Sequence, residues 1–140
     1  MKNVDHIGIA VRSLRETLPF YKNHLGLTCL AIENVPSEHV NIAFLDANNV
    51  RIELLEPTDS NSAIAKFIER RGEGIHHIAF KVDSVEKRII DLKSKGIQML
   101  SEVPKEGAAG ALIAFIHPKS AHGVLYEICE KKPLKENDSD

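Results

Sequence analysis

Residues 5 to 14, DHIGIAVRSL, alternate in character. Successive side chains of an extended chain point to opposite faces. Ile7, Ile9 and Val11 therefore share one face, and His6, Gly8 and Ala10 share the other. Residues 76 to 85, HHIAFKVDSV, repeat this pattern, with Ile78, Phe80 and Val82 set against His77, Ala79 and Lys81. The likeness is positional: His6 falls on His77, Val11 on Val82 and Ser13 on Ser84. Each segment then runs through a helical stretch to a glycine, Gly26 or Gly96, and VRIEL (50–54) against VLYEI (124–128) places Glu53 on Glu127. Such self-similarity at a fixed spacing marks a duplicated structural unit. Each copy reads as a strand, a helix and about three further strands.

The remaining elements follow from local signals. Further strands are predicted at 38–46, 50–55, 97–102, 111–116 and 124–129, with loops at VPKEGAAGA and HPKSAHG. Ser13 to Glu16 and Asp83 to Glu86 fit capping boxes at helix starts. Pro19 lies inside the first helix, where it removes a hydrogen bond or bends the axis. A linker helix is expected at about 62–71, stopped by Gly72. The expected organisation is one domain over 1–131, with module 1 at about 3–58, module 2 at about 74–130 and a flexible polar tail at 132–140.

Composition narrows the class. A chain of 140 residues is long enough for one domain with a real core. A net charge of -2 and a pI near 6.4 offer no electrostatic case for nucleic acid or an acidic membrane surface. No apolar run approaches the roughly 18 residues of a membrane span, and the first residues do not read as a secretory leader. Cys29 and Cys129 form no spacing motif, so a reduced, cytoplasmic protein is expected.

The chemistry lies on the faces turned away from the apolar sets. Val50, Ile52 and Leu54 oppose Glu53, and Val124, Tyr126 and Ile128 oppose Glu127. Each copy thus offers one histidine on its opening strand and one glutamate on its closing strand. A strand glutamate opposite an apolar face is ordinarily just solvated, and a histidine at a strand start ordinarily sits at the surface. The recurrence of both residue types at matching positions is what suggests a site. If the sheets curl and the copies pair, His6, Glu53, His77 and Glu127 converge into a donor set suited to a divalent transition metal, with room for water or substrate atoms. On alternation alone, His76 falls with the core-facing set or near the strand start.

DHIGIAV, FYKNHLG, IELLEP, GEGIHHIAFKV and HPKSAHGVLYEI together resemble the methylmalonyl-CoA epimerases of the vicinal oxygen chelate (glyoxalase-like) superfamily, over about residues 3–130. The resemblance implies an α+β fold of two tandem βαβββ modules forming a curled mixed sheet around a metal site. It implies His6, Glu53, His77 and Glu127 as metal ligands, His77 rather than His76. The implied reaction interconverts (2R)- and (2S)-methylmalonyl-CoA by α-proton abstraction, through an enolate that the metal stabilises. Glu127 is the first choice as base and Glu53 the candidate for the opposite face. The implied ion is Co²⁺, with Zn²⁺, Ni²⁺ or Mn²⁺ as substitutes, and the implied partners are an acyl-CoA substrate and a second copy in a homodimer.

Some positions depart from the family pattern. VNIAF (40–44) carries no carboxylate where some epimerases are thought to have one, and GAAG (107–110) stands where many read GAHG. Lys119 and Lys105 are the expected contacts to the phosphates of coenzyme A, and the loop of Gly107 and Gly110 is expected to contact substrate through its backbone N–H groups. Two alternatives stay open: a lactoylglutathione lyase of the glyoxalase I type, and a non-catalytic, antibiotic-sequestering binder of the same fold. An extradiol dioxygenase fits less well, since it typically needs Fe(II) and often a longer chain.

Overall fold

The structure is a computed structural model and describes residue 1 and residues 3–131. The expected tail, 132–140, lies outside the described residues. Eight strands are β1 (Asn3–Ala10), β2 (Thr28–Val35), β3 (Val40–Asp46), β4 (Arg51–Pro57), β5 (Gly74–Lys81), β6 (Lys105–Glu106), β7 (Leu112–Ile116) and β8 (Tyr126–Glu130). They form one sheet in the order β2-β3-β4-β1-β5-β8-β7-β6. The sheet curls into a half-barrel. β1 runs parallel to β4, β5 runs parallel to β8, and β1 and β5 pair antiparallel at the centre. The opening strands of the two repeats are therefore neighbours within one chain.

Three helices are α1 (Leu14–Pro19), α2 (Ala63–Arg71) and α3 (Val85–Ser94). The apolar faces read from the sequence divide between the sheet's two sides. Leu14 and Leu18 of α1 pack with Val11, Ala43, Leu45 and Leu54. Val85 and Ile89 of α3 pack with Val82, Ala114, Ile116 and Ile128. The linker helix α2 lies on the other face, its Ile64 and Ile68 against Ala10, Ile42, Phe44 and Leu55. Truncating a fully buried leucine such as Leu54 to alanine in such a core costs about 2–5 kcal/mol.

Pro19 lies inside the helical stretch, as expected: it is the last residue of α1, and the chain continues as a π-helical turn over Phe20–His24, where Leu25 N–H reaches Phe20 O at 3.1 Å. Pro19 has no N–H to give, and Phe20 N–H turns to Thr17 O at the end of α1. Other local expectations are corrected. The α3 cap is Ser84, not Asp83: its side chain accepts from Lys87 N, as Ser13 accepts from Glu16 N in the first copy. β2 was not foreseen. The strand expected at 97–102 is reduced to a single bridge, Met99 to Ile116. Gln98 O and Leu100 N still bond to the β7 side of the sheet, the chain bends at Glu102 and Val103, and pairing with β7 resumes at Lys105.

Candidate metal centre

The four residues singled out by the repeat are all buried: His6 is 5%, Glu53 3%, His77 6% and Glu127 5% exposed. Polar groups so far from water need partners, and these find one another. His6 Nε2 and His77 Nε2 stand 3.2 Å apart. Glu127 Oε2 lies 3.3 Å from His6 Nε2, and its Oε1 lies 3.6 Å from His77 Nε2. Donors about 2.0–2.1 Å from a common centre, seen at angles of about 100–120°, have such separations. His6, His77 and Glu127 are thus spaced as three ligands of one ion, with donor atoms within 4.8 Å of one another.

Glu53 is held differently. Arg51 donates to Glu53 Oε2 from Nε at 3.0 Å and from Nη2 at 2.7 Å, and that oxygen faces His6 Nδ1 at 3.3 Å. Glu53 is buried beside the trio but is not in its donor group.

Backbone register explains how the two histidines meet. Gly8 pairs with His77, and His6 pairs with Ala79. Each imidazole thus crosses over a residue with little or no side chain. At Gly8 the fit is close: a Cβ there would lie 2.3 Å from His77 Cε1. Two register shifts flank this crossing. Val4 pairs with Phe80 and His6 with Ala79, so Asp5 is an extra residue in β1. Gly8 pairs with His77 and Ile9 with Ile75, so His76 is an extra residue in β5. A bulge breaks the period of two and re-aims a side chain. Asp5 and His76 consequently line the same cavity as His6 and His77. Of the two places open to His76, the structure has the strand start rather than the core: it lines the cavity two residues into β5, its Nδ1 is 2.9 Å from His77 Nδ1, and its ring stands edge-on to Phe67 of α2.

The electrostatics are those of a buried, mixed-charge site. Burial and the neighbouring His6 and His76 push the His77 pKa well below its ordinary value. Burial alone lowers His76 to about 4. Burial also lowers His6, but the hydrogen bond to Asp5 and the charges of Glu53, Glu127 and Asp5 overcome it and raise the pKa. Asp5 resists burial in the same way. Bonds to His6 Nδ1 (2.7 Å) and Lys131 Nζ (2.8 Å), with the Arg51 charge, hold its carboxyl far below the usual range. Glu127 is pushed up to about 7, chiefly by burial and also by Glu53 and Asp5. The Cys129 thiol, grouped with Asp5 and His6, is pushed up by burial to about 12 and stays protonated. Cys29 and Cys129 are both free.

These groups sit in a cavity of about 520 Å³ with apolar walls that include Val35, Val40, Ile42, Leu55, Ile64 and Leu100. Gly107 lines it, Gly110 lies in the adjoining groove, and exposed Lys119 lines neither. Lys105 lines the cavity, with Nζ 3.0 Å from Glu38 Oε1 and 5.7 Å from the Phe115 ring centre. Glu38, like Asp5, is a cavity carboxylate that the sequence reading missed. It lies in the short helical turn Pro36–Glu38 just before β3, outside the strand where a carboxylate was sought. Ala109, at a positive φ of 55°, donates its N–H to Glu33 Oε2 at 3.0 Å, so the Gly107–Gly110 loop is tied to β2 of the other module.

Residues 5–115 match the family model of the Glyoxalase/Bleomycin resistance protein/Dioxygenase superfamily. The chain is 41% identical over 138 residues to the uncharacterized protein YqjC of Bacillus subtilis, covering 99% of each chain. It is 39% identical over 126 residues to the mitochondrial methylmalonyl-CoA epimerase of Homo sapiens, covering 89% of this chain and 72% of that one. A Streptomyces coelicolor methylmalonyl-CoA epimerase variant solved in complex with 2-nitronate-propionyl-CoA superposes with a TM-score of 0.88 at 36% identity, covering 96% of this chain and 97% of that one. The chain belongs to the glyoxalase/bleomycin resistance protein/dioxygenase superfamily and, within it, to the methylmalonyl-CoA epimerase family.

Proposed function

We propose that this protein epimerises methylmalonyl-CoA at C2 with a divalent metal ion held by His6, His77 and Glu127, and with Glu53 as fourth donor once it leaves Arg51. The observation that carries the reading is the convergence of two imidazole Nε2 atoms and a carboxylate at 3.2–3.6 Å inside a cavity large enough for an acyl group. The donor set suits Co²⁺, the ion we favour, and also Zn²⁺, Ni²⁺ or Mn²⁺. Bound there, the ion supplies Lewis-acid stabilisation for charge that develops on the thioester oxygen.

The chain's own groups move the proton. Of the four carboxylates lining the cavity, Asp5 is engaged by Lys131, Arg51 and His6, and Glu53 by Arg51. Glu127 and Glu38 remain. Glu127 has two carboxylate oxygens, so it would hold the ion with one and take and return the proton with the other; in the metal-free protein burial pushes its pKa up to about 7. Glu38 comes from the other module, and its ion pair with Lys105 joins partly exposed side chains, so it is the more readily freed and is our candidate for the opposite face. The apolar walls lower the local dielectric around these groups, which strengthens the charge interactions inside. We place the enzyme in the cytoplasm as a homodimer. Leu30 and Ile32, each 58% exposed on edge strand β2, are apolar surface that a second copy would cover. Among the described residues, no helix is long and apolar enough to cross a membrane.

The test is stereochemical. Glu38→Gln and Glu127→Gln are each offered one epimer at a time in D₂O. Both variants should lose epimerisation by at least 10²-fold, the usual scale for a removed acid or base. Each should keep C2–H exchange for only one epimer, and not the same one. Full epimerisation by Glu127→Gln would overturn the assignment.

A further inference from the structure

The two bulges in the central strand pair occupy equivalent places in the repeat. His6 aligns with His77, so Asp5 aligns with His76, and each is the unpaired residue of its strand. Each also makes the same kind of contact. Asp5 Oδ2 is 2.7 Å from Nδ1 of His6, and His76 Nδ1 is 2.9 Å from Nδ1 of His77. In both cases the contacted nitrogen is the one turned away from the convergence point, where the two Nε2 atoms meet at 3.2 Å.

A neutral imidazole has one N–H and one lone pair, and the partner of one nitrogen decides the state of the other. A carboxylate only accepts, so Asp5 requires a proton on His6 Nδ1. For His77 the choice is open in principle, because either Nδ1 of the facing pair can donate. If His76 donated, the proton of His77 would lie on Nε2 and point toward the His6 nitrogen. If His77 donates, its Nε2 is left as a lone pair. Fixing a ligand histidine through its second nitrogen is a general requirement of metal sites. His76 is placed for that task by more than its hydrogen bond: the bulge turns it into the cavity, and Phe67 of α2 stands edge-on to its ring at 5.0 Å.

We infer that Asp5 and His76 are positioning residues, each accepting the Nδ1–H of the histidine that follows it and so presenting Nε2 of His6 and His77 to one centre. The inference rests on the proposal that these two histidines hold an ion. The repeat keeps the device while changing its chemistry, a carboxylate in one copy and an imidazole in the other.

The test reads the His77 hydrogen bond with metal bound, because without an ion the two Nε2 atoms, 3.2 Å apart, hold a proton between them. Long-range ¹H–¹⁵N spectra of the Zn²⁺-loaded protein report whether His77 Nδ1–H is protected from solvent exchange by its bond to His76, and Co²⁺ titration reports the dissociation constant. Wild type should show a protected His77 Nδ1–H. His76→Phe should lose that protection and weaken Co²⁺ binding by about 10–100-fold. His76→Asn, whose side-chain carbonyl accepts a hydrogen bond, should recover both. A general packing role would not produce this rescue. A wild-type His77 that meets the ion through Nδ1, or a His76→Phe variant with an equally protected Nδ1–H and unchanged Co²⁺ affinity, overturns the inference. Failure of the metal proposal has its own signature: Zn²⁺ and Co²⁺ leave the His6 and His77 ring resonances unperturbed.

Discussion

Gly8→Ala is the smallest change that should dismantle the centre. The added Cβ would lie 2.3 Å from Cε1, 2.6 Å from Nδ1 and 2.8 Å from Nε2 of His77. Carbon atoms rest at about 3.5 Å or more, so the ring must retreat by roughly 1.2 Å (3.5 less 2.3). The backbone at Gly8 lies outside the positive-φ region, so alanine meets no conformational penalty of its own. The cost is therefore displacement of His77. Metal–ligand distances tolerate only about 0.2 Å, and a shift several times larger removes one of two imidazoles. We expect Co²⁺ affinity to fall by 10²-fold or more, while overpacking costs about 1–3 kcal/mol of stability. Calorimetric titration with Co²⁺, beside chemical denaturation of the metal-free protein, separates the two effects. Unchanged Co²⁺ affinity in a folded Gly8→Ala protein would refute the claim that His77 binds the ion across Gly8.

Other expectations follow from the same geometry. Arg51→Met leaves Asp5 and Glu53 without a shared cation, and removing one partner of such a buried network should cost about 3–5 kcal/mol in urea unfolding. In metal-free protein the raised Glu127 pKa means the folded state holds more protons than the unfolded one between pH 4.5 and about 7. Its contribution is complete below about 4.5 and is lost as pH rises through 7, a change of about 3 kcal/mol that Glu127→Gln should abolish from the stability–pH curve. His76 has the opposite sign. Its folded pKa of about 4 lies below the ordinary 6.5, so its contribution is present above 6.5 and lost as pH falls toward 4. His76→Asn should flatten that acid limb. Ser84→Ala should lower the melting temperature by the equivalent of about 1 kcal/mol, and Asp83→Ala should not, since Ser84 carries the cap.

Much of this architecture was legible because it rests on side-chain period. Alternation assigned His6, His77, Glu53 and Glu127 to faces, and the repeat linked them. What escaped was set by partner strands. Whether Asp5 or His76 becomes an extra residue depends on register between β1 and β5, and no local pattern in either strand encodes it. Glu38 escaped because the search was confined to a strand, while the residue lies in a turn whose position depends on how β2 and β3 join. The Arg51 clamp on Glu53 is an i, i+2 contact along one strand and face, visible in the spacing once both residues are known to be buried. The strand expected at 97–102 has apolar residues suited to pairing, but the chain bends at Glu102 and Val103 and pairs with β7 again only from Lys105.

The central claim is that an ion at His6, His77 and Glu127 makes C2 of methylmalonyl-CoA exchange its proton. The most direct measurement follows deuterium at C2 of (2R)-methylmalonyl-CoA in D₂O, with the protein loaded with Co²⁺ and with the protein stripped of metal. The account predicts rapid deuteration with loss of configuration in the loaded protein, and exchange near the uncatalysed rate in the stripped one. Equal exchange with and without metal, or none above background with Co²⁺ bound, would contradict it.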